Sequence, residues 1–396
     1  MQMIGGVEVG PPAGTAFRPM GNRTMSNVLA RVMTSIAGTI VLGAGIAHSA
    51  TADRLDQYMY ARMQKAGVPG AQVAVIRDGT VIALRSYGLA NVKPRDPVDD
   101  TTAFSIASIT KAFIGVAAMQ LVEQGRLALS APVARYVDNL PPAWRAVTIR
   151  QLLTNVSGLP DLWERYDVIA QDESEAWSKV TTRPMLARPG ERFQYTQTNY
   201  VLLARIITRL SGMPFTDFVA SNQLKSVGMR RTTFAYPSDH FSHTAGRYTF
   251  YDTTGPEIRR TDELRERAED NPKWFAACNG MMSTASDLAH WIIALENHGL
   301  LKQPGSLATL WTPGVLSDGT QSPGFGYFLN GYALGWETAT RLQHRAVAAT
   351  GGERSALFIY PNDNLAIVVL TNLMGSEPEG WIDGIAALYF SPKPAR

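Results

Sequence analysis

The sequence predicts an α+β fold, in which an antiparallel sheet built from both chain ends is flanked by helices and a mainly helical second domain packs beside it. Three observations lead there. Near the start, the apolar runs 71–77 and 80–84 flank Asp78-Gly79, a strong short-range hairpin signal. Almost at the other end, 355–360 and 365–370 flank the turn cluster Pro361-Asn362-Asp363-Asn364. Between these pairs the periodicity is helical, without the strand–helix alternation that a parallel sheet requires.

Taken in order, Leu55, Tyr58, Met59 and Met63 recur at helical spacing and predict an opening helix over 53–65. The first hairpin follows. Ser108 to Gln124 is apolar nearly all round, as a buried helix should be, and Gly125 supplies a left-handed stop. Further helices are expected over 148–154, 200–211 and 283–297, the last with Ser283 and Thr284 as caps and Asp287 in its first turn. The second hairpin and a helix around 380–389 close the chain. The α/β part then comprises about 51–125 and 280–396, and the helical part about 126–279.

The chain of 396 residues is long enough for two closely packed domains. A net charge of +3 without a basic block argues against a nucleic-acid groove. The lone cysteine, Cys278, excludes an intramolecular disulfide and reads as a buried thiol among small and apolar neighbours. Arg31, an apolar run from Ile36 to Ala47 and the small-residue exit Ala47-His48-Ser49-Ala50 describe a secretory signal. Residues 1–50 are therefore expected to be a leader, and residues 51–396 an exported, periplasmic or secreted domain with no membrane span once the signal is cleaved. An uncleaved membrane anchor is the competing reading of the same run, although the run is short for a bilayer. Oligomeric state leaves no signal in the sequence.

No serine lies in a Gly-x-Ser-x-Gly elbow, no phosphate loop is present, and His240 with His243 lacks a partner Glu, so neither a metal nor a cofactor is expected. What remains is Ser108-Ile109-Thr110-Lys111, whose serine and lysine share one helix face. Burial favours a neutral lysine amine, which can take the proton of a serine hydroxyl. The first helical turn also favours a developing oxyanion. On these four residues alone, a capping serine beside an unrelated lysine fits equally well.

The wider segment from Phe104 to Lys111 resembles the first motif of the serine β-lactamase and penicillin-binding-protein superfamily. It is most similar to the branch that holds class C β-lactamases, D-alanyl-D-alanine carboxypeptidases and related esterases. Landmarks that resemble this branch continue in the family's order: Thr148 to Thr154 with Ser157-Gly158-Leu159-Pro160, Pro189 to Tyr195, Asn199 to Leu203, Gly228-Met229, Gly280 to Leu288, and Gly335-Trp336. The resemblance implies a β-lactamase/transpeptidase-like fold, Ser108 as nucleophile, Lys111 as its base, and Tyr195 as the proton relay to the leaving group. It also implies an oxyanion hole from the backbone N–H groups of Ser108 and Gly352, and substrate contacts from Gln197, Thr350 and Gly351.

Two positions depart from the family pattern. Gln197 stands where Asn is usual; its amide can hold Lys111 or a substrate carbonyl but reaches one methylene further. Ala349 stands where a cation on an edge strand helps bind a substrate carboxylate, with Arg345 and Arg354 nearby as outward-facing side chains or substitutes. These departures favour a carboxylic-ester hydrolase. A β-lactamase or D-Ala-D-Ala carboxypeptidase/D-aminopeptidase acting on an amide or β-lactam is the alternative, and an acylated, non-hydrolysing penicillin-binding sensor is a further one. Trp163, Tyr166 and Trp177 are candidates either for a substrate pocket or for the helical core.

Overall fold

A computed structural model describes residues 46–390 except 165–166, 236–240, 253–256, 268–270 and 341–342, with the backbone alone at 46–50. Residues 47–396 form one compact unit. The expected leader up to residue 45, Tyr166 and His240 lie outside the described residues.

The opening helix α1 is Ile46–Ala66. Strands β1 (Gly70–Arg77) and β2 (Thr80–Asn91) form the expected hairpin. Both turn residues have positive φ, 49° at Asp78 and 70° at Gly79, the backbone that a tight two-residue hairpin loop demands. Short β3 (Asp96–Pro97) follows, then the buried helix α2 (Thr110–Glu123). Helices α3 (Gln197–Ser211) and α4 (Ala285–Glu296) come from the middle of the chain. The other sheet strands are β4 (Gly331–Tyr332), β5 (Glu337–Ala339), β6 (Ala346–Gly351), β7 (Ser355–Tyr360) and β8 (Leu365–Thr371). Helix α5 (Glu379–Ala386) ends the described fold.

The eight strands lie in the order β4-β5-β6-β7-β8-β1-β2-β3, every neighbour antiparallel. The chain ends meet at the β1–β8 ladder, where Ala71 pairs with Thr371 and Arg77 with Leu365. Alternate side chains serve opposite faces. Val73, Val75, Phe358 and Ile367 pack under α1 and α5, whereas Ala74, Ile76, Leu357 and Val368 pack against the core that holds α2 and α4. Because both faces are covered, β8 reads Leu-Ala-Ile-Val-Val-Leu-Thr without polar alternation.

Two expectations are corrected. The helix expected from Ser108 begins as a 3-10 turn, Ala107–Ile109, because Ala107 adopts φ +43° and breaks regular α geometry there. The third-motif strand β6 is not at the sheet edge, since β5 and β4 lie outside it; yet the β5 register stops at Glu337↔Ala348, so Ala349 to Gly351 project beyond the ladder. Within the interval 126–279, expected to be mainly helical, strands Tyr248–Asp252 and Arg259–Glu266 also pair with each other, and the first pairs, in parallel, with Leu373–Met374.

Candidate active site

Ser108 sits in the 3-10 turn, held from several sides. The Ile106 N–H donates to Met281 O at 3.1 Å. The Ser355 hydroxyl donates to Ile106 O and Gly351 O, both at 2.9 Å. The Thr110 hydroxyl donates to Ala107 O at 2.6 Å. The turn and the end of β6 touch so closely that a Cβ on Gly351 would overlap Ile106 O and lie 2.9 Å from Ser108 N. A Cβ on Gly352 would lie 3.1 Å from the Ala107 Cβ. The Ser108 and Gly352 amides are thus brought to the same end of the site. The left-handed backbone of Ala107, rare for a residue with a Cβ, is the kind of local strain that tertiary contacts must impose.

Lys111 enters from beneath. It is 1% exposed, and its Nζ donates to Ser108 Oγ at 3.1 Å and to Cys278 O at 2.7 Å. Burial pushes its pKa down to about 8, against the opposing pull of nearby Asp161 and Glu337. The ammonium also lies 4.8 Å from the ring centroid of Tyr195 and 5.4 Å from that of Tyr200. A depressed amine beside a serine hydroxyl is an arrangement that can deprotonate the hydroxyl.

Tyr195 completes the constellation, because its hydroxyl is electrostatically coupled to that of Ser108 and its ring centroid lies 4.8 Å from the Lys111 ammonium. Asn155 fixes its strand of backbone. The neighbours of Tyr195 both donate to Asn155, Gln194 N–H to the carbonyl at 2.7 Å and Thr196 N–H to Oδ1 at 3.4 Å. Burial holds the Tyr195 phenol well above its ordinary pKa, so the group is a neutral proton donor rather than a tyrosinate.

Gln197 opens helix α3, and its N–H donates to Asp161 Oδ1 at 2.8 Å. Its side chain does not hold Lys111, whose hydrogen bonds go to Ser108 and Cys278. Among the described residues, the buried Gln197 Oε1 has no hydrogen-bond partner. Cys278 is buried as expected, its thiol pushed up to about 12 by burial, and it serves the site through its carbonyl.

The third-motif segment carries a group that sequence reasoning missed. Glu337 on β5 is 5% exposed and accepts from Thr350 Oγ1 at 2.8 Å and from the Thr350 backbone N–H. Burial raises its pKa to about 7, and its Oε2 has no partner among the described residues. Asp161 is a second missed acid: burial lifts it to about 6, against the N–H groups of Gln197, Trp163 and Leu162. Each immediately follows a landmark, Gly335-Trp336 and Leu159-Pro160, which was the only available signal. Arg345 is exposed, as an outward arginine should be. Arg354 is not: it is 3% exposed and donates to Ser105 Oγ at 3.1 Å, beneath the nucleophile turn.

Of the candidate pocket aromatics, Trp177 packs edge-on against Trp144 at 5.7 Å and under the Arg205 guanidinium at 3.8 Å, a role in the helical core. Trp163 stacks on Phe275 at 5.2 Å. The rings that pack on Tyr195 are instead Phe325 and Tyr332, with Phe193 packed on both of these.

Comparison with known proteins bears on the family and the fold. Protein flp of Staphylococcus aureus strain N315 is 28% identical over 333 residues, which cover 81% of this chain and 63% of flp; the chain thus spans under two thirds of that relative's length. The octameric penicillin-binding protein homologue from Pyrococcus abyssi superposes with a TM-score of 0.71 at 27% identity, covering 85% of this chain and 76% of that one. A class C beta-lactamase shares the fold, with a TM-score of 0.73 at 20% identity over 89% of this chain and 99% of its own. The Beta-lactamase family model matches residues 55–389, nearly the whole described fold, and the chain therefore belongs to that family of serine hydrolases.

Proposed function

We propose that this protein hydrolyses carboxylic esters through an acyl-enzyme on Ser108. The neutral Lys111 amine accepts the Ser108 proton as Oγ attacks the ester carbonyl carbon. The negative charge that develops on the carbonyl oxygen is met by the Ser108 and Gly352 N–H groups. The tetrahedral intermediate collapses, the acyl–oxygen bond breaks, and the departing alcohol oxygen takes a proton through the Tyr195 phenol. Water then attacks the acyl-enzyme, giving its proton back along the same groups and releasing the acid with Ser108 restored.

One observation carries the choice of ester. The Thr350 hydroxyl is spent on the Glu337 carboxylate at 2.8 Å, and Ala349 beside it offers no cation. A substrate carboxylate brought to this strand would find no cation at position 349 and a Thr350 hydroxyl already engaged by Glu337, while the buried Arg354 guanidinium beside Gly352 is held by Ser105; this disfavours carboxylate-bearing β-lactams and peptides. An uncharged ester needs no such cation. The test compares a short-chain 4-nitrophenyl ester with nitrocefin. The ester should be the better substrate by kcat/KM; Ser108→Ala should abolish turnover, and Lys111→Ala should lower it by about 10²–10⁴. Faster turnover of nitrocefin, or full ester activity in purified Ser108→Ala, would overturn the assignment.

A further inference from the structure

Beside the nucleophile lies a group of rings that the chemistry above does not use. Phe325 packs on Tyr195 with centroids 5.1 Å apart, and on Phe193 at 5.3 Å; Tyr332 closes the group at 6.1 Å from both Tyr195 and Phe325. Tyr332 is 2% exposed, but Phe325 leaves 45% of its surface in solvent. The loop that presents it is built for the purpose. Gly324 and Gly326 on either side have φ of +57° and +79°, and a Cβ on Gly324 would lie 2.8 Å from the Gly331 backbone. The Gly326 N–H closes the turn on Pro323 O at 3.2 Å. A large apolar ring held open in this way, against the group that donates a proton, marks a binding surface better than a packing accident.

We infer that Phe325, with Tyr195 and Tyr332 behind it, forms a shelf for the alcohol moiety of the substrate and selects aromatic or bulky apolar alcohols. The inference rests on the ester reading. In that reading the phenol of Tyr195 delivers the proton to the departing alcohol oxygen, so the alcohol's substituent must extend past the Tyr195 ring. The surface that continues from that ring is Phe325. An aromatic alcohol covers the open face of Phe325 as the acyl–oxygen bond stretches, whereas methanol does not reach it.

The test uses the methyl and 2-naphthylmethyl esters of one short acid, which differ only in the alcohol. The wild-type protein should prefer the naphthylmethyl ester. Phe325→Ala should lower kcat/KM for it about tenfold while the methyl ester stays within about twofold, and Phe325→Leu should recover part of the loss. An equal fall on both esters, which a merely structural ring would give, or no change on either, overturns the shelf. A second arm does not depend on ester cleavage: 2-naphthylmethanol is titrated into Ser108→Ala, with fluorescence as readout, and into Ser108→Ala/Phe325→Ala. Weaker binding in the double variant upholds the shelf even if no ester is cleaved, and equal binding in the two proteins refutes it. Failure of the ester reading is seen separately, as absence of turnover of both esters by the wild-type protein.

Discussion

Lys111 shows how one residue is made useful by being made uncomfortable. Its amine is buried, has two hydrogen-bond acceptors among the described residues, and has a pKa near 8 because desolvation outweighs the attraction of Asp161 and Glu337. The working base is the neutral amine. Below that pKa the amine is protonated and cannot accept the Ser108 proton. The kcat/KM for an ester should therefore rise with pH, about tenfold per unit on the acid side, and level off above about 8. No descending limb should appear below pH ~10, because burial keeps the Tyr195 phenol protonated beyond its ordinary range. In Lys111→Met, kcat/KM should fall by about 10²–10⁴, and the ascending limb should vanish from the residual activity. A wild-type profile that is flat between pH 6 and 9 would remove Lys111 from the role of base. Ser108, Lys111 and Tyr195 were legible because each lies inside a contiguous motif. Glu337 and Asp161 were not, since a carboxylate's burial is decided by strands and loops distant in sequence.

At the scale of elements, the site is a seam between a strained turn and the free end of a strand. The seam closes only because β6 runs past the β5 ladder and Gly351 lies flush against Ile106 and Ser108. Gly351→Ala forces a methyl group into the Ile106 carbonyl and must push the strand from the turn. The expected cost is about 1–3 kcal/mol in thermal unfolding, with a fall in ester kcat/KM of at least about a hundredfold, because the oxyanion donors separate. Near-normal kcat/KM in a folded Gly351→Ala protein would disprove the seam. The hairpins β1/β2 and β7/β8 could be read from turn chemistry and apolar runs. Strands β4 and β5 could not: they are two and three residues long, shorter than any periodicity can register, and exist because β6 offers them a ladder. The 3-10 start of α2 was likewise hidden, since tertiary contacts rather than local propensity set the Ala107 backbone.

At the scale of the whole molecule, the sheet holds together two stretches of chain about three hundred residues apart, and a single side chain bolts them. Asn372, 2% exposed just after β8, accepts the Gly70 N–H at 2.8 Å and donates to Leu89 O and Ala90 O at 2.9 and 3.1 Å. Its backbone N–H donates again to Gly70 O at 3.2 Å. One amide therefore satisfies three backbone groups of the opening hairpin and fixes the register of β8 on β1. Within the ladder itself the buried polar side chains are Gln72 and Thr371, so Asn372 is one of few polar groups that mark its register. Asn372→Ala strips the Gly70 N–H and Leu89 O of this partner in a dry interior, while Ala90 O keeps the Gly246 N–H at 2.9 Å; each loss costs about 1–3 kcal/mol less whatever water can restore. We expect a total loss of about 2–4 kcal/mol, seen as a fall in Tm of roughly 5–15 °C. Ester kcat/KM at low temperature should remain near the wild-type value, because the seam between β6 and the nucleophile turn is built by other residues. Asn372→Asp separates the two halves of the lock: its carboxylate can still accept from Gly70 N–H but meets the Leu89 and Ala90 carbonyls with like polarity, so it should destabilise at least as much as alanine at neutral pH. A Tm within about a degree of wild type for both variants would show that the long-range closure rests on apolar packing alone.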